Sequence, residues 1–228
     1  MFSRFVSIAM LCLLASPVLA DDPVAKPDTT AAPAQSSPAA DMQQVAVGDH
    51  WSYSMTDQIS GQLKQQQTVT ITEISPKDIT ARTEIEGQSK FGIIVYDTSW
   101  NILKNNAQRY SPNSGLGIQK PLAINKSWAI RSDRIDPNGT VWRLNGQSRV
   151  TGQESVSTKA GKFDVFVIET KYTTQNTNDP TRKTDATAVT WYSPALDHWV
   201  KRSNVFRVNG HVLQNYVVEL TSYGRKKT

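Results

Sequence analysis

The chain has 228 residues, a formal charge of +5 at pH 7 and a single cysteine, Cys12. Its basic residues are scattered apart from short clusters at Arg182-Lys183, Lys201-Arg202 and Arg225-Lys226-Lys227. That is not the concentrated basic stripe with interleaved aromatics that a nucleic-acid surface needs, so no nucleic-acid partner is expected.

Residues 1–20 read as a cleaved signal peptide. Arg4 supplies the positive start, residues 6–14 the apolar stretch, and Val18-Leu19-Ala20 the small residues before the cut. The apolar stretch is shorter than the roughly 20 residues a membrane helix requires, and no later stretch reaches that length, so no transmembrane segment is expected. Ala9-Met10-Leu11 is a poor lipobox, so Cys12 is lost on cleavage rather than lipidated. The remaining chain then has no thiol and no disulfide, which fits a Gram-negative periplasm, or release beyond it, better than a disulfide-stapled secreted domain.

Residues 21–44 are rich in Ala, Pro, Ser, Thr and Asp, without apolar periodicity, and read as a disordered tether. One domain is expected over residues 45–228. Within it, residues 50–58 form a first strand carrying Trp51 and Tyr53 on one face. Residues 67–74 alternate Val69 and Ile71 against Thr68, Thr70 and Thr72. Residues 79–85 and 91–96 follow as strands. Residues 100–118 are irregular, with faint helical periodicity over 102–109.

Residues 127–135 and 141–155 are strands joined at Asp136-Pro137-Asn138-Gly139, a good turn sequence. Asn145-Gly146 is either a bulge or a second turn. Residues 163–168 are apolar on both faces, which predicts a strand covered on both sides at the centre of its sheet. Residues 185–192, 197–208 and 211–223 complete about ten strands, with Asn209-Gly210 the strongest hairpin signal in the chain. The expected fold is all-β: a single antiparallel β-domain, either a sandwich or a curled, partly open barrel. Val47-Gly48-Asp49-His50-Trp51 also matches Ile124-Asn125-Lys126-Ser127-Trp128. Duplication and chance account for that match about equally well.

Glu154, Ala160-Gly161, Phe163-Asp164, Trp191-Tyr192-Ser193-Pro194 and Val200-Lys201 occur in an order and spacing that resembles the TapB-like family of uncharacterised bacterial envelope proteins. The resemblance implies a secreted all-β domain of unestablished activity, with no catalytic residues to carry over. More distantly the chain is similar to the lipoprotein-carrier (LolA-like) superfamily, which curls one antiparallel sheet around a lipid cavity. The helices that plug that cavity are not evident here.

No catalytic constellation is legible. There is no Gly-x-Ser-x-Gly elbow, and Asp133 and Asp136 flank a turn, where Asp usually caps rather than titrates. Asp-His-Trp occurs twice, at residues 49–51 and 197–199. Neighbours on a strand face opposite ways, so each copy offers one ligand at most and neither a metal nor another cofactor is expected. The two Trp are read as core anchors, with Asp and His facing solvent. Trp100, Trp142 and Trp191 are the candidate binding residues, for a sugar, a lipid or an apolar peptide. The expectation is a non-enzymatic periplasmic module for an envelope component or protein partner. The alternative is a carrier for a lipid or other amphiphile.

Overall fold

The computed structural model describes residues 44–225. Residues 1–43, which hold the expected signal peptide and all but the last residue of the expected tether, and residues 226–228 lie outside the described residues. Twelve strands follow one another: β1 His50–Asp57, β2 Leu63–Ile74, β3 Asp78–Ile85, β4 Phe91–Asp97, β5 Ile102–Asn105, β6 Gln108–Ser111, β7 Ser127–Ile135, β8 Val141–Thr158, β9 Gly161–Asn176, β10 Lys183–Ser193, β11 His198–Val208 and β12 His211–Gly224. Each pairs antiparallel with its neighbours in sequence, and β1 pairs with β12, so the sheet closes into a barrel. Among the described residues the one helical element is a 3₁₀ turn at Pro194–Leu196.

The barrel corrects the expected count of ten and the expected sandwich or open curl. The two missed strands, β5 and β6, are four residues each and lie where the sequence showed faint helical periodicity. They turn at Asn106, whose φ of 53° suits the left-handed region that Asn tolerates. Four residues are too few for a period to show. Closure also removes the exposed edges that an open sheet of this length would leave.

Register sorts the side chains. Trp51, Tyr53 and Met55 of β1 share a face with Val69, Gln67 and Gln65 of β2, and the same alternation runs round the whole barrel. That face is the lumen. The outer face carries exposed Arg131, Arg143, Glu169, Lys171 and Asp185, not the continuous apolar band that a lipid-spanning barrel presents.

The doubly apolar stretch of β9 does not mark the centre of a sheet. A closed barrel has no central strand. From Glu169 onward β9 has one exposed face, at Glu169 and Lys171. β9 keeps its register with β10, so Ile168 and Phe166 lie opposite Thr190 and Tyr192 on the luminal side, while Val165 and Val167 share the face of Trp191. Ile168 and Val165 are both buried, and Phe163 makes an edge contact with Tyr223 at 5.9 Å, so the stretch is covered on both faces as expected, without being central. Asn145-Gly146 is neither bulge nor turn. Gly146 lies mid-strand with no room for a Cβ, because the Tyr172 Cβ and the Lys171 carbonyl would stand 2.4 and 2.2 Å away.

The repeated segment has a structural counterpart. Gly48 (φ 95°) and Asn125 (φ 71°) hold the same left-handed position two residues before β1 and β7. Gly48 N donates to Ile71 O and Asn125 N to Val150 O; Asp49 N donates to Ala46 O and Lys126 N to Ala123 O. Trp51 and Trp128 then enter the lumen, both buried. Further along, Asp57-Gln58-Ile59 and Asp133-Arg134-Ile135 also match in sequence but not in structure. Asp57 caps a turn through Ile59 N, while Asp133 sits on the outer face against Arg143.

Candidate functional site

The lumen has two unlike ends. At the end holding the first residues of β1 and the last of β12, inward side chains are large, apolar and buried: Trp51, Tyr53, Ile71, Ile79, Trp128, Val150, Ile168, Tyr192 and Leu220. At the other end most are polar or half-exposed: Met55, Gln65, Gln67, Thr83, Asn105, Tyr110, Arg134, Thr174, Asn204 and Tyr216, although Leu144, Asn176 and Ala186 are buried. Inward side chains that remain half-exposed show that solvent enters this end.

The sealed end is organised around His198. Its ring lies 4.3 Å from Trp51, 4.6 Å from Trp100 and 5.7 Å from Trp199, and Tyr53 stacks on Trp199 at 4.0 Å. Desolvation, then the nearby Arg202 and Arg225, pushes its pKa down to about 3, so the imidazole is neutral. Beside it, Asp197 Oδ1 accepts from Tyr192 Oη at 2.5 Å, Lys120 Nζ at 2.5 Å and Trp100 Nε1 at 3.3 Å. Burial and the Asp197 carboxylate hold the Tyr192 hydroxyl firmly protonated.

The two Asp-His-Trp copies therefore meet, through ring packing of Trp51 on His198. Trp51 is a core anchor as expected, and His50 is exposed. Asp49, Asp197 and His198 are buried, contrary to their expected solvent-facing positions. Asp49 is ion-paired to Arg225 at 2.8 Å. Asp197 escapes strand alternation because it caps the 3₁₀ turn at φ 48°, so it and His198 both point inward.

The three candidate tryptophans lie in three places. Trp100 is buried in the sealed end, its φ of 62° aiming the ring into the aromatic cluster. Trp142 stands at the open mouth between the guanidiniums of Arg134 and Arg182, with Nε1 donating to Asp136. Trp191 is on the outer face, donating to Glu154 at 2.6 Å with Lys201 over its ring. They form no common platform. Glu154 lies opposite Val165 and Glu169 opposite Arg149, so those two carboxylates form no pair across β8 and β9.

Between the two ends lies a cavity of about 110 Å³ lined by Tyr96, Trp100, Ile102, Ile118, Tyr192, His198, Trp199 and Arg202, among others. Arg202 is the residue that sequence reasoning passed over, as half of a surface Lys201-Arg202 cluster. Alternation held the signal: Lys201 faces out, while Arg202 shares the inward parity of Asn204 and Phe206. The Arg202 Nε donates to Thr190 Oγ1 at 3.1 Å and its guanidinium lies 4.9 Å above the Trp199 ring. Among the described residues it has no carboxylate within ion-pair distance. Six of the seven tyrosines face the same lumen: Tyr53, Tyr96, Tyr110, Tyr172, Tyr192 and Tyr216. Burial raises the pKa of Tyr96 and of Tyr172 to about 12, so both hydroxyls remain protonated donors. A larger depression of about 560 Å³ lies on the outer face of β7 and β8 around Arg131, Asn145 and Gln147. It is open, and no aromatic side chain converges on it from that face.

No protein-family model and no curated protein matches the chain. Solved structures do. A candidate lipoprotein from Parabacteroides distasonis superposes over 80% of this chain and 100% of its own, with a TM-score of 0.55 at 13% identity. A candidate exported protein with YmcC-like fold from Bacteroides fragilis matches over 81% of this chain and 99% of its own, with a TM-score of 0.50 at 11% identity. At such identities the likeness is one of fold.

Proposed function

We propose that this protein is an exported, non-enzymatic envelope module whose barrel binds an envelope component through the open end of its lumen. The observation that carries the reading is the asymmetry of the lumen: one end is packed shut by rings, while the other leaves polar groups reachable by solvent. The signal-like first residues, the resemblance to TapB-like envelope proteins and the fold shared with a candidate lipoprotein and a candidate exported protein support a periplasmic location. Binding rather than turnover is supported by the state of the likeliest acid–base group: His198 is neutral, ring-packed and far below the pKa a general base needs near pH 7.

The carrier reading has less support. Ligand pockets for drug-sized molecules enclose about 300–1,000 Å³. The pocket beside Arg202 holds about 110 Å³, too little for an acyl chain. Native capture of the tagged protein from periplasm, with mass spectrometry of both small molecules and proteins, tests the choice. A polar envelope component retained by wild type supports the proposal. Stoichiometric lipid would replace it with the carrier reading.

A further inference from the structure

We infer that the lumen recognises a single oxyanion, a carboxylate or a phosphate group on an envelope molecule, with the Arg202 guanidinium as its receptor. This inference rests on the luminal-binding reading above and names the chemistry that the lumen selects.

An arginine turned into a barrel and half-buried there, as Arg202 is, is costly unless something compensates its charge. Arg134, also turned inward, stands 3.1 Å from Asp136, and Lys120 stands 2.5 Å from Asp197. Arg202 has no such partner among the described residues. It is instead held in position. Thr190 takes its Nε–H and Trp199 lies beneath its plane, which leaves the two terminal nitrogens, with four N–H donors, to face the cavity. A guanidinium fixed in this way presents the planar fork that matches a carboxylate or phosphate with two parallel hydrogen bonds.

The surroundings fit the same ligand. Tyr96, Tyr53, Tyr216 and Tyr172 are its electrostatic neighbours. The hydroxyls of Tyr96, Tyr172 and Tyr216 make no hydrogen bond among the described residues and are not sealed from solvent, so they are free to donate to an anion's remaining oxygens. Apart from mouth-side Asp57, inward-facing strand positions carry no carboxylate, and the inward-pointing cap residue Asp197 is already ion-paired to Lys120 at 2.5 Å. The cavity's size suits an oxyanion and a few waters, with the rest of the molecule extending toward the open polar end.

The test is calorimetric titration of the full mature chain with glycerol 3-phosphate and with glucuronate, against glycerol and glucose as neutral controls. Saturable binding of at least one anion, and of neither control, is expected, and which anion binds identifies the phosphate or carboxylate source. Arg202→Gln should weaken it by about tenfold or more, with Arg202→Lys intermediate and the outer-face Arg131→Gln unchanged. Should Arg202→Gln fail to fold, the Nε–H resonance of Arg202 in wild type decides instead, by shifting or standing still on addition of the anion. No saturable binding, equal binding of the neutral controls, or binding indifferent to Arg202 overturns the inference. A neutral component captured from periplasm would leave the proposed function standing and remove this one. Anion binding at Arg202 without any captured component would do the reverse.

Discussion

The sealed and open ends of this barrel are built from the same strands, with the same pleat and the same inward parity, yet they carry unlike side chains. On β1 the sealed end places Trp51 and Tyr53 where the open end has Met55; on β2 it places Val69 and Ile71 where the open end has Gln65 and Gln67. Stability should therefore be concentrated at one end.

The largest contrast is between two tryptophans. Trp51 is fully buried among Trp100, His198 and the strands around them. Trp51→Ala should cost about 3–5 kcal/mol, from lost transfer energy plus the cavity left behind. Trp142 stands half-exposed at the open mouth, held by two guanidiniums and one hydrogen bond, so Trp142→Ala should cost about 1 kcal/mol. Urea midpoints of the two variants measure the gap. Equal losses would mean that the open end is core as well.

A second contrast is with pH. An unfolded imidazole titrates near 6.5, whereas His198 is pushed down to about 3. Above about pH 6.5 neither state binds the proton and the contribution to stability is complete. Below it the unfolded state takes up a proton that the folded state refuses, and stability falls by about 1.4 kcal/mol per pH unit until about pH 3. By pH 5 the wild type should thus have lost about 2 kcal/mol more than His198→Gln, which lacks the imidazole. His50 and His211 are exposed and common to both proteins, so they cancel in the comparison. Parallel stability curves would mean that the imidazole reaches water.

How much of this was legible depends on length and parity. Ten strands showed because each carries at least seven residues with readable alternation or a firm turn; β5 and β6, at four each, carried neither. Closure was hidden because the pairing of β1 with β12 joins the two ends of the chain, a contact with no local signal. Trp51 was legible as an anchor from its alternation with Tyr53. Asp197 and His198 were not, since alternation was applied to a residue that lies on a 3₁₀ cap instead of a strand. Arg202 was misread for the opposite reason: it does obey alternation, but a pair of adjacent basic residues looked like surface.

The hairpin at Asn209-Gly210, at the open end, tests the backbone instead of the packing. Its φ values of 51° and 79° are those of a type I′ turn. A Cβ on Gly210 would touch nothing within 4 Å, so any penalty for Gly210→Val is conformational. About 1 kcal/mol is expected from forcing a β-branched residue to positive φ. An unchanged midpoint would mean the turn relaxes freely, and that register at this end is set by the strands alone.

The smallest effect is expected from Asn204→Ala. Asn204 points into the lumen opposite Ala188 on one side and Tyr216 on the other, is half-exposed, and makes no side-chain hydrogen bond among the described residues. If water fills the open end, its amide is already solvated and truncation leaves no unpaired group and no dry cavity, so the change should stay within about 0.5 kcal/mol. Ser148 provides the scale at the other end of the same wall. Its hydroxyl is buried and bonded to Thr170 Oγ1 at 2.9 Å, and removing it strands a buried partner. Chemical denaturation of Asn204→Ala beside Ser148→Ala compares one small polar truncation in wet and dry surroundings. A loss at Asn204 as large as that at Ser148 would show that the open end is packed in solution. The lumen would then have a single dry core, and no route by which a ligand reaches Arg202 from that side.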